Sequence, residues 1–258
     1  MTKLPISVCI ISGAEAHRIT PTLESVKGWV SEVVLLLNDD VRDGTDKVGE
    51  AFGARVFREP WQGFGKQKNS VAKRATQPWI LGLDADEVVS DVLREEICRV
   101  VEGEKDEAMA AYKFPRCTYY CGRWIRHGDW YPDRVTRLWR RERAEWVGVE
   151  PHAYLEVRGR VGCLKGDLLH YSNQSVDQQL SKIAPYSNDF VRHQLELGKD
   201  AGVFELVVRP VWRFLRAYFF RLGFLDGWPG YYIAWLSAFS AVTRYFKVLE
   251  GRKEAEKK

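Results

Sequence analysis

Four short apolar runs, each closed by a cluster of polar residues, constrain this chain more than any other feature. Residues 6–11, 32–37, 54–57 and 79–83 are rich in β-branched and large aliphatic side chains. Each is short enough to read as a buried strand. Helical signals lie between them. Thr20 and Pro21 read as the N-cap and first residue of a helix running towards Lys27, Thr45 as the cap of one ending near Phe52, and residues 67–75 as a third. Strand and helix alternating in units of this length specify an α/β domain with a largely parallel sheet.

In such sheets ligands bind beyond the carboxyl ends of the strands. The polar clusters at 12–15, 38–43 and 84–87 all follow strand signals. They are therefore expected to converge on one edge. Further on, a helix over 91–101, a strand over 107–114 and a long polar helix over 176–197, broken before Pro185, are expected. Residues 115–152 are dense in Arg, Trp, Tyr and His with weak periodicity, which suits either a substrate-facing loop region or a surface hairpin.

Composition excludes several classes. A chain of 258 residues with 45% hydrophobic and 29% charged side chains buries a full core and is not disordered. A net charge of +4 carries no signature of nucleic-acid binding. That charge is uneven, with residues 205–258 at +5 and residues 1–204 at −1. The five cysteines, 9, 98, 117, 121 and 163, are odd in number and suggest no disulfide framework, so a reducing compartment is expected. Cys117 and Cys121 lack the paired short spacings of a zinc site. No signal peptide and no run of eighteen strongly apolar residues is legible.

The candidate chemistry lies in the polar clusters. Asp84-Ala85-Asp86 places two carboxylates at a strand end, where they suit Mg²⁺ or Mn²⁺ shared with a substrate diphosphate. A turn with a helix cap is the plainer alternative. Asn38, Asp39, Asp40 and Asp43 read as an Asx-rich turn or as partners of a nucleotide base and ribose. Gly63, Gly65, Lys66 and Lys68 form a basic loop at a helix start, suited to phosphate but not a P-loop. His127, Asp129 and Asp133 sit among Trp and Tyr, a combination that grips a polyhydroxylated ligand or simply packs under a loop. Glu150 and His152 are candidate general bases.

The C-terminal segment differs in kind. Arg209, Arg213, Arg216 and Arg221 are interleaved with aromatic and aliphatic side chains, and residues 227–243 carry no charge but Pro229 and glycines. This pattern fits a helix lying at an anionic membrane surface. The alternative is a helical hairpin packed on the catalytic domain or against a second copy, which would make a homo-oligomer.

Taken together, the motifs resemble bacterial family 2 glycosyltransferases of the lipopolysaccharide-core glucosyltransferase type. The resemblance runs through Trp61-Gln62-Gly63-Phe64-Gly65-Lys66-Gln67-Lys68-Asn69, Leu83-Asp84-Ala85-Asp86-Glu87 and Gly122-Arg123-Trp124-Ile125-Arg126-His127-Gly128-Asp129-Trp130. It continues through Arg137-Leu138-Trp139-Arg140-Arg141, Leu169-His170-Tyr171 and Arg221-Leu222-Gly223-Phe224-Leu225-Asp226-Gly227. It implies a GT-A fold, with a catalytic domain over 1–204 and a helical, interface-associated region over 205–258. The nucleotide-sugar half would span about 1–110 and the acceptor half about 111–204.

The resemblance also implies an inverting transfer of a hexose from a nucleotide diphosphate sugar, UDP-glucose first. The acceptor would be a sugar hydroxyl of a lipid-linked glycan, and the place of work the cytoplasmic face of the inner membrane. Glu15, Asn38, Asp39 and Lys68 would surround the nucleotide, and Asp84 and Asp86 would hold the metal and diphosphate. The sequence departs from the family pattern at Ala14, at Asn38-Asp39-Asp40-Val41 and at Ala153, where the family places Glu after His152. An alanine takes no proton, which leaves Glu150 or Asp129 as base, or else a catalytically impaired sugar-binding scaffold. A nucleotidyltransferase of related fold is the other rival.

Overall fold

Strand β1 (Leu4–Ser12) shows why the first apolar run is a strand with both faces buried. Ile6, Val8 and Ile10 point into one cluster, with Ile19, Leu23, Leu93 and Ile97. Cys9 and Ile11 point into a second, with Val34, Leu36, Val71 and Trp139. Each fully buried aliphatic side chain contributes roughly 1.5–3 kcal/mol, so a short run of them is enough to hold a strand between two layers.

The structure is a computed structural model. It describes residues 3–103, 108–148, 153–172, 175–198 and 200–255. The elements in chain order are β1, α1 (Ile19–Val26), β2 (Val30–Asn38), α2 (Thr45–Ala51), β3 (Arg55–Glu59), α3 (Phe64–Lys73), β4 (Trp79–Asp84), β5 (Glu87–Val89) and α4 (Asp91–Gly103). Then follow β6 (Met109–Tyr120), β7 (Arg123–Ile125), β8 (Asp133–Arg140), β9 (Ala144–Val147), β10 (Tyr154–Val157), β11 (Arg160–Cys163) and β12 (Leu168–His170). Helices α5 (Val176–Glu196), α6 (Arg209–Leu215) and α7 (Gly227–Ala255) complete the chain.

The chain divides into two compact units: residues 1–116 with 133–171, and residues 117–132 with 172–258. The expected boundary at 204 differs from this division. α5 joins the C-terminal helices because it packs on α7, where Lys247 Nζ donates to Ser187 Oγ and Asn188 Oδ1, each at 2.8 Å, and Phe190 meets Tyr245 edge-on.

In the first unit the sheet runs β3-β2-β1-β4-β8-β6-β12-β5. β3, β2, β1 and β4 are mutually parallel, while β8 is antiparallel to both β4 and β6. The register sets Ile11 of β1 beside Asp84 of β4, and Ser12 beside Leu37 of β2, so the three polar clusters do leave the sheet at one edge. Gly82 in β4 has a local reason: a Cβ there would meet the Trp139 ring at 2.8 Å.

Several local expectations need correction. Helix α1 begins at Ile19, because the Arg18 and Ile19 N–H groups already bond Glu15 O. Gly44, at φ 93, caps α2, and Thr45 is its first buried residue. Residues 115–148 hold the end of β6 and strands β7, β8 and β9, of which β7 and β9 have only three and four residues and so little periodicity to read. α5 runs from Val176 to Glu196 without a break at position 185.

In the second unit the end of β6 pairs with β7, and Tyr120, Ile125 and Ile233 form a small core with Trp130 and Tyr232. The buried Asp226 accepts the backbone N–H of Arg126 and His127 and pairs with His127 Nδ1 at 2.9 Å. Among the described residues no helix is long and apolar enough to cross a membrane.

Candidate active site

The Asp84–Glu87 turn is the best-anchored feature of the sheet edge. The buried Glu87 carboxylate accepts the Asp84 N–H at 2.9 Å. Thr22 Oγ1 of α1 donates to Ala85 O at 2.9 Å, and the Tyr171 N–H donates to Asp86 O at 2.9 Å. A turn held from three sides keeps its carboxylates where the strand register puts them.

Each Asp has a different setting. Asp84 Oδ1 lies 2.9 Å from Lys68 Nζ, and Oδ2 lies 2.5 Å from Arg137 Nη2. The same Arg137 nitrogen is 2.9 Å from Glu87 Oε1, which Arg116 Nη1 approaches at 3.3 Å; Arg116 Nη2 also pairs with Asp133 at 2.6 Å. Burial would raise the Asp84 pKa, but the charges of Arg137 and Lys68 outweigh it and hold the carboxyl well below the usual range. Burial, followed by the Arg137 charge, lowers the Lys68 pKa despite the pull of Asp84. The Lys68 ammonium also stands 4.7 Å from the centre of the Trp146 ring, and the Asn69 side-chain amide ties α3 to β9 through the Trp146 backbone.

Asp86 is met by different partners. Its Oδ2 is 3.2 Å from Arg18 Nη1 and 3.5 Å from His170 Nε2. Arg18 uses its other nitrogens to grip Glu15. The Glu15 N–H in turn donates to Thr45 Oγ1 at 3.0 Å, and the Ala16 N–H to Asp43 at 2.9 Å, which ties the loop after β1 to the loop after β2.

The remaining expected residues are placed as follows. Asn38 ends β2, with Gln67 Nε2 at 3.5 Å, and the buried Gln67 Oε1 has no partner among the described residues. Asp39 is exposed, with its N–H bonded to Glu59 O. Lys66 is exposed in the first turn of α3. Asp129 belongs to the second unit, where Arg216 and Arg221 approach its Oδ1 at 2.7 and 3.3 Å, and it serves as a clamp there. Trp130 likewise packs in the second unit's core. Glu150 and His152 lie outside the described residues.

A divalent cation fits part of this set. Both Asp84 oxygens are engaged by cationic side chains, so Asp84 is a poor direct ligand. Asp86 has one oxygen, Oδ2, engaged by Arg18 with His170 Nε2 beside it, and its Oδ1 has no partner among the described residues. Among those residues no three His, Cys, Asp or Glu side chains form a metal cage. A carboxylate and an imidazole with open positions is a donor set that a substrate diphosphate and waters complete. Sequence reasoning did not assign His170, Arg18, Arg137 or Glu87 to the site. The first, third and fourth lie in motif stretches, but Arg18 carries no sequence signal of its own.

Residues 7–153 match the glycosyl transferase family 2 model, more than half of the chain, and the protein belongs to that family. It is a glycosyltransferase with the GT-A architecture. An uncharacterized glycosyltransferase of Rickettsia prowazekii (strain Madrid E) is 28% identical, covering 94% of this chain and 86% of its own length. The lipopolysaccharide core biosynthesis glycosyltransferase LpsC of Rhizobium meliloti (strain 1021) is 26% identical, covering 94% of each chain. Among solved structures, the mannosyltransferase PcManGT from Pyrobaculum calidifontis, in complex with GDP-Man and Mn²⁺, has a TM-score of 0.53 at 14% identity, covering 93% of this chain and 74% of that one.

Proposed function

We propose that this enzyme moves a hexose, glucose first, from UDP-glucose to a sugar hydroxyl of a lipopolysaccharide-core-like or other lipid-linked glycan, with inversion, at the cytoplasmic face of the inner membrane. The observation that carries this reading is the convergence of Asp84, Asp86, His170, Lys68 and Arg18 beyond the ends of β1 and β4. The likeness to LpsC supports the choice of acceptor.

Asp86 and His170 would hold Mg²⁺ or Mn²⁺, which when bound supplies Lewis-acid charge to a departing diphosphate. Lys68, set over Trp146, adds positive charge on the same side, with Lys66 in the same helical turn. Asp84, oriented by Arg137, and Asn38, Asp39 and Glu15 line the nucleotide side. Gln67 Oε1, a buried acceptor beside Asn38 without a partner among the described residues, is suited to an N–H of the base. Glu150 deprotonates the acceptor hydroxyl, which attacks the anomeric carbon opposite the leaving group. Ala153, where the family carries Glu, supports a second reading, a sugar-binding scaffold without turnover.

The test is UDP titration calorimetry with and without Mn²⁺, together with product analysis from UDP-glucose. The expected result is Mn²⁺-dependent UDP binding that Asp86→Asn and His170→Ala each weaken, and release of UDP rather than diphosphate. Metal-independent binding unaffected by both variants overturns the assignment. Binding without turnover selects the scaffold, and diphosphate release selects a nucleotidyltransferase. A Glu150→Gln enzyme with unchanged turnover places the base elsewhere.

A further inference from the structure

We infer that the exposed aromatic face of the second unit, built from α6, the segment that joins it to α7 and the first half of α7, is a docking surface for an anionic lipid bilayer. This deepens the membrane placement proposed above by naming the surface, and it rests on the second unit alone. Trp228 is 83% exposed and Phe220 70%, and Trp212, Phe219, Leu225 and Trp235 are also exposed. Isolated exposed apolar residues are ordinary, but the aromatic ones here fall into a linked row and a further pair. Trp228 contacts Tyr231 at 6.1 Å between ring centres, Tyr231 contacts Trp235 at 6.4 Å, and Trp235 contacts Phe214 at 4.9 Å. Phe214 then meets Phe219 at 6.5 Å, and Trp212 meets Phe220 at 5.4 Å.

Charge identifies the partner. From Phe204 to Glu250 the chain holds six basic residues and three acidic ones: Glu250, Glu205, which pairs with Arg209 at 3.7 Å, and Asp226. The Asp226 carboxylate is buried and bound by His127 and two backbone N–H groups, so it does not offset the surface charge. Asp129 engages Arg216 and Arg221, and Lys247 is held by Ala184 O, Ser187 and Asn188, whereas Arg213 and Arg244 have no carboxylate partner among the described residues. Burial and then the nearby Arg213 charge lower the Arg244 pKa, a repulsion that a phosphate headgroup between the two guanidiniums relieves.

Trp, Tyr and Phe beside Arg are the side chains that settle at the headgroup level of a bilayer, ring in the acyl boundary and cation on the phosphates. A second copy of the chain is the weaker occupant, because a symmetric contact would set the same unpaired cations against each other.

The experiment uses the full chain and co-sedimentation with two vesicle types, phosphatidylcholine alone and phosphatidylcholine mixed with phosphatidylglycerol. Binding only to the anionic vesicles, weakened by salt, is expected. The double variant Phe220→Ser/Trp228→Ser and the double variant Arg213→Glu/Arg244→Glu should each weaken it by about tenfold or more. Circular dichroism confirms the fold of both, and UDP binding, measured in parallel, reports on the transferase reading separately. Absence of vesicle binding, or equal binding by wild type and folded variants, overturns the proposal. So does a concentration-dependent dimer that the aromatic variant dissociates, because the face is then covered by protein.

Discussion

Arg18 Nη1 lies 3.2 Å from Asp86 Oδ2 while the rest of the guanidinium grips Glu15, so one side chain joins the loop after β1 to the turn after β4. Arg18 therefore occupies, with its own charge, the carboxylate that the proposed cation needs. Removing it exposes Asp86 to metal. Arg18→Ala is expected to tighten Mn²⁺ binding severalfold in the absence of nucleotide, read by paramagnetic resonance of free Mn²⁺. An unchanged or weaker affinity would show that Arg18 does not compete at Asp86.

Arg137 lies between Asp84 and Glu87 with almost no solvent contact. Arg137→Met leaves two carboxylates facing each other without their shared cation. Losing one partner of a buried pair costs about 3–5 kcal/mol, and urea unfolding should show a fall of that order. Arg137→Lys should recover part of it, because the charge returns without the fork geometry.

Asp84 gives stability a defined acid dependence. Burial would raise its pKa, and Arg137 and Lys68 lower it below the unfolded value. A depressed carboxyl contributes stability that is fully present above the unfolded pKa of about 3.9 and is lost as pH falls through the folded one. The urea midpoint should therefore drop as pH falls below about 4. In Lys68→Met, which removes one of the two lowering charges, the Asp84 carboxyl should titrate at a higher pH than in the wild type, as carboxyl-carbon NMR would report.

In the second unit, Gly230 closes the bend that starts α7. A Cβ there would lie 1.9 Å from Gly223 O and 3.0 Å from Asp226 Cβ, both on backbone or pinned side chains. Gly230→Ala should destabilise by at least the 1–3 kcal/mol or so typical of overpacking, and thermal unfolding measures it. A wild-type melting temperature would mean that the segment relaxes freely.

How much of this was legible depended on whether a signal was local. The parallel strands were readable because the central runs of β1, β2 and β4 are buried on both faces and are largely apolar. The helices α1, α3 and α4 were readable as segments; α4 begins at Asp91 as expected, whereas α1 and α3 begin earlier, α1 because the Glu15 carbonyl already accepts the Ile19 N–H. β5, β7 and β12 have three residues each, too few for a period to show.

The sequence by itself determined the α/β order, the polar edge formed by the loops after β1, β2 and β4, and the Asp-x-Asp turn, because strand ends and neighbouring loops follow from chain order and burial. Only the tertiary structure decided which partners each carboxylate meets: two cations hold both oxygens of Asp84, whereas Arg18 and His170 meet one oxygen of Asp86. Asp84 and Asp86 are two residues apart and chemically identical. Arg137 and Lys68, 53 and 16 residues away, engage the first, while His170, 84 residues away, comes to the second. It decided Asp129 in the same way, since the arginines that hold it arrive from 87 and 92 residues further along. Charge pairing at such separations is set by packing, and no spacing along the chain encodes it.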